Sequence, residues 1–380
     1  MAVAVRLAHK MGLHNEKTAL KMSFFEKEMR IRLWWQIRCY SARPAQASVA
    51  YIPLIRDLGN VRMPLNLNDS DLHPDMVDHP VEHVGATEMT YCLLKYEGAR
   101  WQQMARTTNK RSVNPSSAHA MIPKDPPIRD LERTFEEKYL RFCDHRIPLH
   151  FLALTMSRLA ICRMRFMMYH PQGRADGGAH MTPEERDVLF ELSVRLLELE
   201  YESRKTSFTP QLLTHMARSK LEALVYMLFE LCGRPMGDRV IVAWNLVSLF
   251  YEQHRELIDE TGNSFLDALG DLTLEAWQVR WKELVEAQGG RVDDITPWYI
   301  KELQARRAES MLISSVSGNA AADASTGELA GPAMRHQLRV SGIGQSGGQM
   351  ESEAPFLEIS MDFGDDNPYD VEYWSEFLQM

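Results

Sequence analysis

The side chains best suited to chemistry crowd into a single stretch of fifteen residues: Asp69, Asp71, His73, Asp75, Asp78, His79, Glu82 and His83. Imidazole and carboxylate are ordinary ligands of divalent metals. His79 and His83 stand four apart, the spacing that puts two ligands on one helical face. Pro80 follows His79, however, and a residue before proline is pushed out of helical geometry. The His-Glu-x-x-His order of zinc hydrolases is also absent. The cluster therefore reads as a polar loop entering a helix. A second acidic run, Asp365-Asp366-Asn367-Pro368-Tyr369-Asp370, has the carboxylate density of a magnesium motif, but it sits beside a proline and beyond a Gly/Ser-rich stretch. Such a place cannot hold ligands rigidly. No nucleophile elbow, P-loop or dinucleotide fingerprint occurs. Gly342, Gly344, Gly347 and Gly348 fall in low-complexity sequence with no strand before them. The five cysteines, Cys39, Cys92, Cys143, Cys162 and Cys232, come no closer than 19 residues, so no zinc-type cysteine pair is readable. With no export signal, they read as reduced intracellular thiols. These residues assign no catalytic group, no metal and no cofactor, and an enzyme becomes the least favoured class.

The elements that position these residues read as helices. Apolar residues recur at three- and four-residue spacing over about 2–11, 26–49, 82–106, 127–143, 148–169, 183–205, 210–231, 236–259 and 264–287. Thr182-Pro183, Thr209-Pro210 and Thr296-Pro297 mark helix starts, since Thr caps and Pro at the first position loses no hydrogen bond. Thr182 and Glu185 form a capping box. No window alternates with β-branched enrichment, so no sheet is expected. The fold class is all-α, an irregular multi-helix domain over 1–307. Residues 107–126 read as a connector poor in large apolar side chains.

Composition changes toward the C-terminus. The chain has 380 residues and a net charge of −9, and residues 308–380 hold twelve acids against Arg335 and Arg339. Residues 313–350 contain seven Gly, six Ser and six Ala, so 308–350 is expected to be a disordered linker. Residues 351–380 hold nine acids, no Lys or Arg, and interleaved aromatics. Acidic–hydrophobic alternation is the compositional mark of an activation segment. Phe363 precedes Tyr369, Tyr373, Trp374, Phe377 and Leu378, and the last five lie on one face of a short helix that a partner's groove would induce. The alternative is a C-terminal helix docked on the chain's own body. No run of about 18 apolar residues exists, so no membrane-spanning helix is expected. The body lacks a basic stripe; Arg100, Arg106, Lys110 and Arg111 are its densest basic group.

Three features follow one another near the N-terminus: a helix closing in Gly12-Leu13-His14, the run Glu26-x-Glu28-x-Arg30-x-Arg32-Leu33-Trp34-Trp35, and the loop Pro64-Leu65-Asn66-Leu67-Asn68-Asp69-Ser70-Asp71-Leu72. Gly12 suits the left-handed stop of a helix. Glu26–Arg30 and Glu28–Arg32 are favourable i, i+4 pairs. Trp34 and Trp35 suit core anchors. The loop's Asn and Asp side chains suit bonding to their own backbone. In this order and spacing the chain resembles the fungal-specific transcription factor domain, the helical middle homology region of zinc binuclear-cluster regulators. The match is clear over residues 2–76.

The resemblance implies a nuclear transcription regulator. Departures from the family pattern accompany it. The six-cysteine cluster and its basic arm are not in this chain, and Met1 falls inside the helix that ends at Gly12. Ser41-Ala42-Arg43 stands where the family carries Asp-x-Arg. The expectation is a natural short form or a truncated gene model, unstable alone, making no specific DNA contact. It would act through co-activators or a DNA-bound regulator held by the C-terminal tail, in a secondary-metabolite or nutrient pathway. A small-molecule-sensing helical module, favoured by 22 methionines, is the alternative.

Overall fold

The computed structural model describes residues 2–19, 21–41, 59–111, 126–171, 180–203, 217–234, 236–259, 263–288 and 296–321. All elements among them are helical and none is a strand. They are α1 (Ala2–Lys10), α2 (Phe24–Ser41), α3 (Thr90–Arg111), α4 (Pro126–Lys138), α5 (Pro148–Tyr169), α6 (Pro183–Ser203), α7 (Ala217–Leu231), α8 (Asp238–Gln253), α9 (Glu256–Asp259), α10 (Ser264–Gln288) and α11 (Trp298–Ala321), with short 3₁₀ turns at Glu16–Ala19, Asp69–Asp71 and Leu140–Phe142. The helical period predicted this class.

Contacts divide the described residues into two compact units, the first drawn from 1–173 and 195–220, the second from 174–194 and 221 onward. In the first, α3, α4 and α5 pack against one another, α2 packs on α3, and α1 packs on α2. Helix α5 is buried nearly all round, through Ala153, Met156, Leu159, Ala160, Ile161, Met164 and Phe166, as a helix apolar on every face must be. In the second unit α10 packs on α11, and the single turn α9 touches both. Helix α7 buries Leu221, Leu224, Val225, Met227, Leu228 and Leu231.

Local chemistry explains three of the helix ends. Thr182 and Glu185 exchange hydrogen bonds of 3.1 and 3.2 Å at the start of α6. Ser23 and Glu26 do the same for α2, a box not anticipated from the sequence. At the end of α1, Leu13 N–H donates to the Ala8 carbonyl and Gly12 N–H to that of His9, each at 3.0 Å. Gly12 has φ +68° there, the left-handed stop expected of it.

Two boundaries differ from the sequence reading. The helix expected from 82 begins at Thr90, because the carbonyls of His83 and Gly85 are held by the Asn66 side chain at 2.9 and 2.7 Å. Helix α11 runs to Ala321, past residue 308 where the linker was expected to begin. Thr209-Pro210, Arg43, most of the 107–126 connector, the linker beyond 321 and the tail 351–380 lie outside the described residues.

Candidate functional site: a polar knot between α2 and the 61–88 segment

Helix α2 carries three side chains that fasten the segment following residue 59. Glu28 is 0 % exposed. Its carboxylate accepts from Arg62 Nη2 at 2.7 Å and from Leu65 N–H at 2.9 Å, with Arg32 Nε 3.7 Å away. One turn on, Arg32 donates from Nη1 to Asp69 Oδ1 at 2.9 Å and from Nη2 to the Leu67 carbonyl at 3.4 Å. Trp35 Nε1 donates to the Arg62 carbonyl at 2.7 Å. The helix thus holds the passing chain at three successive points, and Pro64 is buried between them.

Asn66 is the next fastener. Its N–H donates to Glu82 at 2.9 Å, its carboxamide N–H groups to the His83 and Gly85 carbonyls, and its Oδ1 accepts from the Thr87 hydroxyl at 2.6 Å. Asp71 accepts from Asn68 N–H and meets His83 Nε2, each at 2.7 Å. The backbone bond from Asn68, then the bond from His83, hold the Asp71 carboxyl below its ordinary pKa. Asp69 N–H donates to Glu88 at 2.6 Å.

The motif residues therefore come together, though not all as their spacing suggested. Glu28 and Arg32 were read as an i, i+4 pair and do lie 3.7 Å apart, but Glu28 is also the buried centre of the knot. Arg30 donates to the Met11 carbonyl at 2.6 Å and Glu26 caps α2. Asn66 bonds a distant loop rather than its own neighbours. Trp34 is 0 % exposed and contacts the rings of His9 and His14, at 5.5 and 6.0 Å between centroids. Leu13 lies in the same core. The His14 carbonyl accepts from Asn60 N–H at 3.3 Å. The sequence reading missed Arg62 and Thr87, which stand alone in the sequence with no spacing signal. Phe363, Tyr369, Tyr373, Trp374, Phe377 and Leu378 lie outside the described residues.

Among the described residues no three His, Cys, Asp or Glu side chains converge on a point that could hold a metal. His79 packs on Phe24 at 4.6 Å, while Asp71 and His83 occupy each other. Beside the knot runs an open groove of about 500 Å³, lined by Asn66, Glu82, Val84, Arg100, Tyr139 and Phe142 among others. Glu97 at its floor takes Lys138, Arg100 and Tyr139 at 2.8, 3.2 and 3.4 Å. Burial and the neighbouring Glu97 push the Tyr139 phenol well above its ordinary pKa. Glu97 is thus held by three donors, one of them the neutral Tyr139 phenol.

The described residues define a helical fold whose polar clusters fasten loops to helices. The chain's relatives narrow that description. Over 281 residues the chain is 32% identical to the aurofusarin cluster transcription factor aurR2 of Gibberella zeae, covering 73% of this chain and 42% of that protein. It is 27% identical over 336 residues to the transcriptional regulator AacuB of Aspergillus aculeatus, 87% of this chain and 45% of the relative. It is 26% identical over 314 residues to the pyriculol/pyriculariol biosynthesis cluster transcription factor 1 of Pyricularia oryzae, 80% and 41% respectively. The chain is thus related to fungal transcription factors, and it spans less than half the length of these relatives. No family model matches the chain, and no solved structure matches it significantly.

Proposed function

We propose that this chain is the regulatory part of a fungal zinc-cluster-type transcription regulator, with residues 1–307 forming the helical control region of the fungal-specific domain type. Helix α11 carries that region on to Ala321, and residues 322–350 link it to an acidic–aromatic activation segment, 351–380. It works in the nucleus through co-activators or a DNA-bound regulator, and as a 380-residue chain makes no sequence-specific DNA contact of its own. Two relatives are named for biosynthesis clusters, which favours control of secondary metabolism over nutrient use. The observation that carries this reading is the 32% identity to a cluster transcription factor across 73% of the chain. The knot supports it from the side of chemistry, since its ionisable groups are engaged in holding the chain.

A tethering assay tests the proposal. The whole chain and the chain ending at Met350 are each fused to an unrelated DNA-binding domain, and a reporter is read. Activation by the full chain and none by the shorter one is expected. Equal output from two well-expressed fusions would remove the activation role from residues 351–380.

A further inference from the structure

The second unit contains two neighbouring donors with no acceptor. Trp244 on α8 is 4 % exposed, and its indole Nε1–H is buried with no hydrogen-bond partner. The Arg280 guanidinium of α10 lies 5.7 Å from the Trp244 ring centre, and its Nη1 is likewise buried and unpartnered. Aromatic rings surround the pair. Trp277 meets Trp244 edge-on at 5.3 Å, Trp281 lies 6.2 Å from Trp277, and the Tyr299 hydroxyl is 3.4 Å from Ser248 Oγ.

Other side-chain N–H groups are buried without a hydrogen bond, Trp34 Nε1 of the first unit among them; here such a group lies beside a guanidinium that, among the described residues, has no carboxylate of its own. Buried N–H groups are nearly always paired, and a charge withdrawn from water is stable only beside a counter-charge. Arg32, Arg62, Arg234 and Arg306 obey this, each holding a carboxylate within 3 Å. The described residues give Arg280 none. Burial lowers its pKa, and the one titratable group acting on it is the Tyr299 phenol, which burial pushes up to about 12 and so keeps neutral. One cation and one neutral donor, both wanting an acceptor, stand at the edge of an aromatic cluster.

We propose that Arg280 and Trp244 form the anion-binding end of a site for a small aromatic carboxylate. One unit of negative charge matches one guanidinium, which favours a carboxylate over a phosphate dianion. Its oxygens accept from Arg280 and from Trp244 Nε1. Its ring lies against the indoles, where planar apolar surface is best buried. Entry is from the side of Arg280 and Trp281, which are both half-exposed, and the flexible Arg280 stem swings to admit the ligand. The inference concerns the second unit alone and holds whether or not the chain regulates transcription.

The test uses the full chain with 2-naphthoate, its neutral isostere 2-naphthamide, and acetate. Tryptophan fluorescence quenching and melting temperature are read against ligand concentration. Saturable quenching and a rise in melting temperature with naphthoate are expected, since a ligand that binds only the folded state stabilises it. Naphthamide should bind about tenfold or more weaker, as loss of a charged hydrogen bond implies, and acetate should not bind measurably. Trp244→Phe keeps an aromatic ring but removes the N–H together with the pyrrole half of the indole; it should weaken naphthoate several-fold, and Arg280→Gln by about tenfold or more. Circular dichroism confirms that both variants fold. Equal binding of the acid and the amide, wild-type binding by both variants, or no binding at millimolar naphthoate would each overturn the proposal. A failed reporter assay would leave these results unchanged, so the two ideas fail separately.

Discussion

Glu28 shows how far a residue's role can lie from its place in a motif. Its spacing to Arg32 is that of a surface pair worth a few tenths of a kcal/mol. In the structure it is fully buried and answers one guanidinium and one backbone N–H on a segment 34 to 37 residues away. Removing it strands the Leu65 N–H and leaves Arg62 with only the Met63 carbonyl and the partly exposed Glu16. Glu28→Ala should therefore destabilise the first unit by roughly 3–5 kcal/mol, measured by urea unfolding. Replacing Glu28 and Arg62 together with methionine should recover part of that loss, because the one carboxylate then left without Arg62 is Glu16, which water reaches. His170 gives a second residue-scale prediction. It closes α5 in a buried position, and burial lowers its pKa to about 4 from the usual 6.5. Between those values the unfolded chain binds a proton that the folded chain refuses. Stability should thus fall as pH drops from about 6.5 to about 4, by roughly 3 kcal/mol in all. His170→Phe should flatten that limb of the pH–stability curve; an unchanged slope would place the titration elsewhere. Neither role was legible in sequence, since burial and long-range partners leave no local spacing.

At the scale of elements, more could be read in advance. The 148–169 helix was expected at the residues it occupies, because Pro148 marks its first turn and its apolar residues continue on every face. Gly12 was legible as a stop for the same reason, being the residue that adopts φ +68° without strain. Gly59 was not, although it is the tighter of the two. It has the same φ, and a Cβ there would lie 1.9 Å from the His14 carbonyl oxygen; at Gly12 the nearest atom is the movable Thr18 Cγ2 at 2.9 Å. Gly12→Ala should cost about 1–2 kcal/mol. Gly59→Ala should cost clearly more, because backbone must shift where the loop returns to α1. Thermal melts of the two variants check the order, and a reversed order would mean that the His14–Gly59 contact yields easily. The start of α3 was misread for a physical reason. Apolar periodicity continues back to Val81, but Asn66 and Thr87 capture the backbone that a longer helix would need, and no local pattern records that competition.

For the whole molecule, the boundary of the folded part decides what any truncation means. Composition placed the end of the helical body at residue 307, yet α11 continues to Ala321. Its first half is deeply committed to the second unit. Tyr299 and Ile300 are fully buried, and Tyr299 stacks on Tyr251 at 4.8 Å with the rings 9° apart. Arg306 donates to the Ile258 carbonyl and to Asp267 at 2.5 and 2.8 Å, tying α9 and α10 to the same helix. Composition missed the continuation because alanine and serine, which dominate after residue 308, suit a helix as well as a linker. Two truncations follow with opposite outcomes. A chain ending at Met350 keeps every one of these contacts and should melt within about 2 °C of the full chain, since changes away from packed features are worth at most about 0.5 kcal/mol. A chain ending at Pro297 loses the Tyr299 stack, the buried Ile300 and Leu303, and the Arg306 bonds together. Several buried side chains at about 1.5–3 kcal/mol each exceed what a domain of ordinary stability can spare. That chain should lose the cooperative transition of the second unit, while Trp34 and Trp35 stay buried in the first. Calorimetry with fluorescence distinguishes the outcomes. An intact second transition without α11 would show that α7, α8 and α10 form a stable core by themselves.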